Sequence, residues 1–330
     1  MEDKILMVKN LSVSFSDDNG KIIAVDDVSF TLEKGKILGI IGESGCGKST
    51  LALSIMQLLP GKISKIEQGA ILFNKNDLVK FKEAELENLR GNDVAMIFQE
   101  PMTSLNPLFK IGRQVEEPLK IHKHLRGKQL KDKAIELLKI VRITNSEKVY
   151  ELYPHNLSGG MRQRVNIAMA LSCEPEMLIA DEPTTALDVT IQAQILFLLK
   201  NLNKEVKTSI IFITHDLSVV AEVCDEVMVM YGGKIVEQSD IFELFDNPKH
   251  PYTRGLMDSQ PSKGECGKPL SSIKGMVPSF SNMPSGCSFS TRCSEKFCER
   301  CSNEKPQLFN IGGNHKVACW LYEKEEVNIE

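Results

Sequence analysis

A chain of 330 residues has room for one large α/β domain with a small appendage, or for two modest domains. Hydrophobic residues make up 42% and charged residues 25%, the ordinary mix of a globular chain, and a formal net charge of −4 excludes a surface that is a nucleic-acid footprint throughout. No apolar run is long enough to span a bilayer, and the start, Met1-Glu2-Asp3-Lys4-Ile5, lacks the charged-then-apolar layout of a signal peptide. The expectation is a cytoplasmic chain that reaches a membrane only through partners.

Residues 5–33 predict short strands broken by turns: Val13-Ser14-Phe15 alternates, Asp18-Asn19-Gly20 turns, and Val28-Ser29-Phe30-Thr31-Leu32 alternates again. Lys36-Ile37-Leu38-Gly39-Ile40-Ile41 predicts a buried strand. It runs into Gly42-Glu43-Ser44-Gly45-Cys46-Gly47-Lys48-Ser49, and residues 50–56 have helical character. Strand, glycine loop and helix in that order are the setting of a Walker A phosphate loop. Residues from about 83 to 174 are mostly helical in pattern, with a strand-like Val94-Ala95-Met96-Ile97-Phe98 among them. Between 110 and 148, eleven Lys or Arg face five Asp or Glu. That excess reads first as a solvated helical face, and second as a surface turned to a partner or to anionic lipid head groups. Three apolar strands follow at residues 177–180, 209–213 and 227–230, with helical patterns between the first two, which predicts a mainly parallel sheet with helices on its faces. From Asn247 onward, prolines with Gly and Ser predict a loop-rich tail.

Each motif has a mechanical reading. Gly42, Gly45 and Gly47 let the backbone bend so that its N–H groups point at phosphate oxygens, and the helix behind adds its positive end. Lys48 supplies a cation for the β- and γ-phosphates, Ser49 a hydroxyl for magnesium, and Thr50 a hydrogen bond to the α-phosphate. Glu43, Ser44 and Cys46 contribute chiefly backbone. Met177-Leu178-Ile179-Ala180-Asp181-Glu182 puts two carboxylates at the end of a buried strand, where ligands bind in open α/β sheets. Asp181 would hold magnesium through water, and Glu182 would take a proton from the attacking water. Alone, such a pair is a solvated turn; beside a Walker A loop it reads as part of a site. In Leu157-Ser158-Gly159-Gly160-Met161-Arg162-Gln163-Arg164, a Ser-Gly-Gly opening to a helix is either an anion cradle or a plain N-cap.

In this order and company, the motifs resemble those of the ABC ATPases over about residues 5–260, with Met161 where the family's signature more often has glutamine. Gln99 matches the Q-loop, Ala186-Leu187-Asp188 the D-loop, His215 the switch histidine, and Phe15 the aromatic that stacks on adenine, although a phenylalanine there is by default core. The resemblance implies an α/β P-loop NTPase: a mainly parallel sheet core, an antiparallel β subdomain, a helical subdomain at about 88–174, and a small loop-rich extension at 261–330. It implies a head-to-tail dimer in which Ser158, Gly159 and Gly160 act on the partner's ATP. It also implies that Gln99 joins Ser49 and Asp181 at magnesium and that Glu182, His215 and Gln99 serve hydrolysis.

Residues 98–107, 250–256 and 273–279 narrow the resemblance to the ATPases of dipeptide and oligopeptide importers. This implies a paralogous ATPase partner, two membrane permeases, an external solute-binding protein, and a peripheral place on the cytoplasmic face. The same group serves nickel, glutathione and antimicrobial peptides. An ABC ATPase acting on nucleic acid or ribosomes is the reading from another class. One nucleotide domain, no long coiled-coil insertion and no strongly basic charge oppose it, so no nucleic-acid partner is expected.

Six of the nine cysteines crowd the tail, which in a cytosolic chain suggests a metal before disulfides. Cys46, Cys173 and Cys224 read as structural, and Cys266 has no assigned role. Cys287, Cys293, Cys301 and Cys319 match the pattern in which some relatives hold a four-iron–four-sulfur (4Fe-4S) cluster, here a staple for a tail with little core. Cys298 is additional. Its Cys-x-x-Cys pairing with Cys301, with His315 available as a further ligand, keeps zinc open as the alternative, and free thiols remain the plain reading.

Overall fold

The computed structural model describes residues 4–17, 20–99, 104–185, 187–259 and 272–325. The turn expected at Asp18 and Asn19, residues 100–103 after the Q-loop glutamine, Ala186 and Cys266 lie outside the described residues. In chain order the strands are β1 (Lys4–Asp17), β2 (Gly20–Glu33), β3 (Ile37–Ile41), β4 (Ser64–Phe73), β5 (Asn76–Asp77), β6 (Val94–Ile97), β7 (Met177–Asp181), β8 (Ser209–Ile213), β9 (Glu226–Tyr231), β10 (Lys234–Asp240), β11 (Phe309–Gly312) and β12 (His315–Val317). The helices are α1 (Lys48–Ile55), α2 (Glu83–Leu89), α3 (Ile111–His122), α4 (Gly127–Ile140), α5 (Ser146–Tyr150), α6 (Gly159–Leu171), α7 (Val189–Val206), α8 (Leu217–Val223), α9 (Ile241–Asp246), α10 (Pro251–Asp258) and α11 (Arg300–Asn303). The chain divides into two units, one built around residues 72–213 and the other around residues 7–30, 38–71 and 214–330.

In the first unit, β6, β7 and β8 run parallel, with Val94 beside Met177 and Met177 beside Ser209. Every residue of β7 and β8 is buried. That explains why their sequences are continuous apolar runs rather than alternations: both faces are covered. Helices α3 to α6 fill the long connection between β6 and β7. They pack closely, because a Cβ added at Gly112 of α3 would lie 2.3 Å from the Tyr150 ring of α5. The Arg164 guanidinium of α6 is buried and donates to the Val141 carbonyl at 2.8 Å and to Gln194 Oε1, tying α6 to the end of α4 and to α7.

In the second unit, β2, β1 and β4 are neighbours in that order in one sheet. The strands β1 and β2 are 14 residues each, longer than the short, broken strands expected, and β4 and β5 carry no clean alternation in sequence. β3 belongs to a second sheet, in which its Leu38 lies beside Glu226 of β9 in parallel. It continues antiparallel through β10, β12 and β11. The tail expected to be loop therefore supplies two strands. Its sequence hid them because β11 and β12 are four and three residues long, too short for a period to show. β10 was hidden differently. A bulge between Ile235 and Glu237 breaks its alternation and turns a carboxylate inward.

That carboxylate, Glu237, has no exposed surface. It accepts the backbone N–H groups of Lys249 at 2.7 Å and His250 at 2.9 Å, and His315 Nε2 of β12 lies 2.7 Å from it. His315 Nδ1 is 3.5 Å from Glu243. The histidine considered for zinc is thus occupied in joining β12 to β10 and α9. Burial pushes the Glu237 carboxyl up, but the hydrogen bonds from His315 and the two amides hold the group below its ordinary value. A carboxylate lowered in this way contributes stability above its unfolded pKa and loses it as pH falls through its folded pKa. Replacing His315 by Ala leaves a buried charge short of a donor. The expected cost is about 2 kcal/mol of unfolding free energy, read by denaturant melts, with ATP affinity unchanged.

Candidate nucleotide site

The glycine loop joins β3 to α1, and its shape is fixed by what lies against it. Gly42 has φ 153° and Gly47 has φ 104°. A Cβ at Gly42 would sit 2.2 Å from the Met230 carbonyl oxygen, and one at Gly47 would sit 2.5 Å from that of Ala24. Both positions are glycine because neighbouring backbone occupies the side-chain space, as well as for the bend itself. The Gly233 N–H donates to the Cys46 carbonyl at 3.0 Å, so the β9–β10 turn grips the loop from behind. Ser44 and Gly45 are exposed at the tip, while Ser49 and Thr50 open α1 half-buried.

Lys48 is buried and curls over its own loop. Its Nζ donates to the carbonyls of Gly42 at 2.7 Å and Glu43 at 3.0 Å, and lies 3.7 Å from Cys46 Sγ. The ammonium is therefore already centred among the loop's backbone groups. Cys46 does more than lend its backbone. Its side chain is 1% exposed, fills the hollow beneath Gly42, and burial pushes its thiol pKa up, so the group stays neutral next to the lysine. Phe15, expected against adenine, is half-buried on β1 rather than sunk in the core. His215 is exposed just beyond β8, where Asp216 caps α8 by accepting the Ser218 N–H at 2.9 Å.

The first unit brings together another set. Asp181 ends β7 and is 4% exposed. Glu182 follows it with φ 46°, a left-handed conformation costly for a residue with a side chain, of order 1–3 kcal/mol. Its Oε2 accepts Gln99 Nε2 at 3.1 Å and Thr185 Oγ1 at 2.8 Å. Gln99 lies just beyond β6, parallel neighbour to β7, so adjacent strand ends deliver both side chains. The sequence reading missed Thr185, which a Glu-Pro-Thr-Thr turn at a strand end would have flagged. Ser158 is the N-cap of α6, its Oγ accepting the Met161 N–H at 3.4 Å. Ser158 and Gly159 are exposed. Gly160 is packed: a Cβ there would meet Ile191 at 2.9 Å, so α6 can approach α7 only without a side chain at that position.

Cys287, Cys293, Cys301 and Cys319 line one pocket in the tail, with His250, Phe289 and Trp320. Burial pushes the thiols of Cys287 and Cys319 up to about 11 and about 12, and raises that of Cys293. Cys298 Sγ is 3.6 Å from Cys301 Sγ. Among the described residues no three His, Cys, Asp or Glu side chains are gathered so as to hold a single metal ion. Cys298, Cys301 and His315, considered for zinc, are not gathered in such a group, and His315 is hydrogen-bonded to Glu237.

A glycine loop between a parallel strand and a helix, with carboxylates at the end of another parallel strand, defines a P-loop nucleotide-binding protein. The sequence model of the ABC transporter family matches residues 25–185, and that of the oligopeptide/dipeptide transporter C-terminal region matches residues 236–302. The chain is 49% identical to the oligopeptide transport ATP-binding protein AppD of Bacillus subtilis, over 97% of this chain and 98% of that one. It is 47% identical to OppD of the same organism, over 99% and 91%. A dimeric post-hydrolysis structure of the ATP-binding cassette MJ0796 bound to ADP and Pi aligns with a TM-score of 0.65 at 28% identity, covering 72% of this chain and 98% of that chain. The chain belongs to the ABC transporter family as an ATP-binding subunit with the oligopeptide/dipeptide type of C-terminal region, and it carries the family's transport-coupled ATPase domain. No described helix is long and apolar enough to cross a membrane. Replacing Gly42 by Ala should press a methyl group into the Met230 carbonyl and distort the loop. The expected result is a loss of about 1–3 kcal/mol in denaturant melts together with loss of ATP binding in equilibrium titration.

Proposed function

We infer that the chain is the ATP-hydrolysing subunit that powers import of di- or oligopeptides through a membrane ABC transporter. The observation that carries this reading is similarity over the whole length, tail included, to proteins named for oligopeptide transport. The division into a nucleotide-binding domain at 1–260 and an extension at 261–330 belongs to the same reading. Such a subunit works with two permeases and an external solute-binding protein, as a heterodimer with a paralogous ATPase, on the cytoplasmic face of the membrane.

In this reading the N–H groups of residues 42–47 cradle the phosphates, with Lys48 at the β- and γ-phosphates and Thr50 at the α-phosphate. Phe15 stacks on adenine. Ser49, Asp181 and Gln99 hold magnesium, which supplies charge neutralisation on the transferring phosphate. Glu182 is the base for the attacking water. Its hydrogen bond from Gln99 supports this, because it links the base to the segment expected to report on membrane subunits. Exposed His215 orients the γ-phosphate, and Ser158, Gly159 and Gly160, at an exposed helix start, act on the partner's ATP. Replacing Glu182 by Gln should leave ATP binding intact while ATP turnover falls by at least about 100-fold. Rapid turnover by that variant would remove Glu182 from the role.

The cysteine pocket supports a finer reading, a 4Fe-4S cluster on Cys287, Cys293, Cys301 and Cys319. Four thiols facing one pocket suit a multi-iron group, whose ligands need not converge on a point. Bound there, such a group would supply cross-linking of the tail. Anaerobically purified protein should contain about four irons per chain and be coloured. A colourless protein without iron ends this reading.

The transport assignment is tested in vesicles holding the permeases and the second ATPase, with the binding protein outside. ATP hydrolysis should rise with peptide. Stimulation by nickel or glutathione instead would move the solute within the same group.

A further inference from the structure

Glu43 is the second residue of the glycine loop, a position at which the nucleotide needs only backbone. Here each of its polar groups is held. Its carboxylate receives a two-pronged ion pair from Arg292, with Nη1 to Oε2 at 2.6 Å and Nη2 to Oε1 at 3.1 Å. Its N–H donates to the Tyr252 hydroxyl at 2.9 Å. Its carbonyl accepts Lys48 Nζ at 3.0 Å and the Cys46 N–H at 3.3 Å. Two of these partners come from the far end of the chain.

Those partners are themselves fixed. The Arg292 side chain is 5% exposed, and its remaining donors reach the carbonyls of Lys274 at 3.1 Å and Ile273 at 3.4 Å. Its guanidinium plane sits near the Tyr231 ring, 5.8 Å from the centroid. Tyr252 is fully buried and meets Tyr231 edge-on at 4.7 Å. The same tail presses on the turn that grips the loop, since Met283 and Ser288 crowd Gly232 and Phe280 lies against Gly233. A planar guanidinium paired with a carboxylate in a half-buried setting sets direction as well as distance, which a lysine would not do.

We propose that Arg292, with Tyr252, is a positioning residue for the nucleotide: the C-terminal region holds Glu43, and through Glu43 the glycine loop and Lys48, in the shape that receives phosphate. Arg292 touches no reacting atom. It acts through Glu43, whose carbonyl is also a resting point of the Lys48 ammonium. The proposal rests on ATP phosphates occupying the glycine loop, but not on which solute is moved.

The test uses the full chain and ATP itself. Arg292→Ala should raise both the Kd for ATP and the KM of hydrolysis by about tenfold or more, with a smaller change in kcat, because a displaced loop loses ligand contacts. Arg292→Lys, which keeps charge but not the fork, should fall between. Exchanging the charges, with Glu43→Arg and Arg292→Glu together, should recover most of the lost affinity. If Arg292→Ala does not fold, Arg292→Lys and Glu43→Gln carry the test. Variants that melt at lower temperature yet bind ATP with the parent Kd would overturn the proposal and leave the pair a plain structural tie. Lys48→Ala is the separate control. If it binds ATP as the parent does, the placing of phosphates in this loop is what fails, whatever Arg292 does.

Discussion

A loop that binds phosphate with its backbone N–H groups cannot spend those groups on holding itself together. It has to be fastened by its carbonyls, by its side chains and by exclusion of volume. This chain uses all three. The Cys46 carbonyl is taken by Gly233, those of Gly42 and Glu43 by Lys48, and the Glu43 carboxylate by Arg292. Met230 and Ala24 leave room for nothing larger than glycine at positions 42 and 47. Two of its N–H groups go to protein acceptors, that of Glu43 to the Tyr252 hydroxyl and, at a longer 3.3 Å, that of Cys46 to the Glu43 carbonyl. The strand β2 that carries Ala24, the β9–β10 turn and the tail can each be understood as supports for that loop.

The carboxylate pair in the other unit answers a related problem in a different way. Glu182 has to leave a buried strand immediately after Asp181 and bring its carboxylate to Gln99 and Thr185. A left-handed backbone achieves this in one residue, and two hydrogen bonds from Gln99 and Thr185 then fix the carboxylate. Strain at one residue is tolerated because the strand it leaves, β7, and its neighbour β8 are buried throughout.

The motifs bearing chemistry were legible because their reasons are local. Gly42 to Ser49 form one turn, Asp181 and Glu182 follow one apolar run, and Ser158 caps the helix that begins beside it. The parallel strands β7 and β8 were legible for the same reason, each an unbroken buried run. What sequence hid was the product of pairing at a distance. Arg292 lies 249 positions from Glu43, and nothing about an isolated Thr-Arg-Cys says what the arginine holds. Nothing local marks Glu237 as buried, because a bulge rather than a pattern turns it inward. His315 looked available to a metal until the structure showed its carboxylate partner. The four cysteines that the resemblance singled out do line one pocket, while among the described residues Cys298 and Cys301 belong to no group of three metal-ligating side chains.

β12 also has a consequence for what the sheet presents at its border. By pairing with β10 it occupies the hydrogen-bonding row that β9 leaves on that strand's other side, and Ala318 adds one more bond to Val236. What then faces outward is β11, four residues long and broken in register between Asn310 and Gly312. A short, irregular outermost strand is a poor template for a second chain, and a bare β10 would be a good one. Trimming the tail to reach a minimal cassette would therefore uncover an adhesive border, and the fragment's readiness to clump would reflect the loss of that cover.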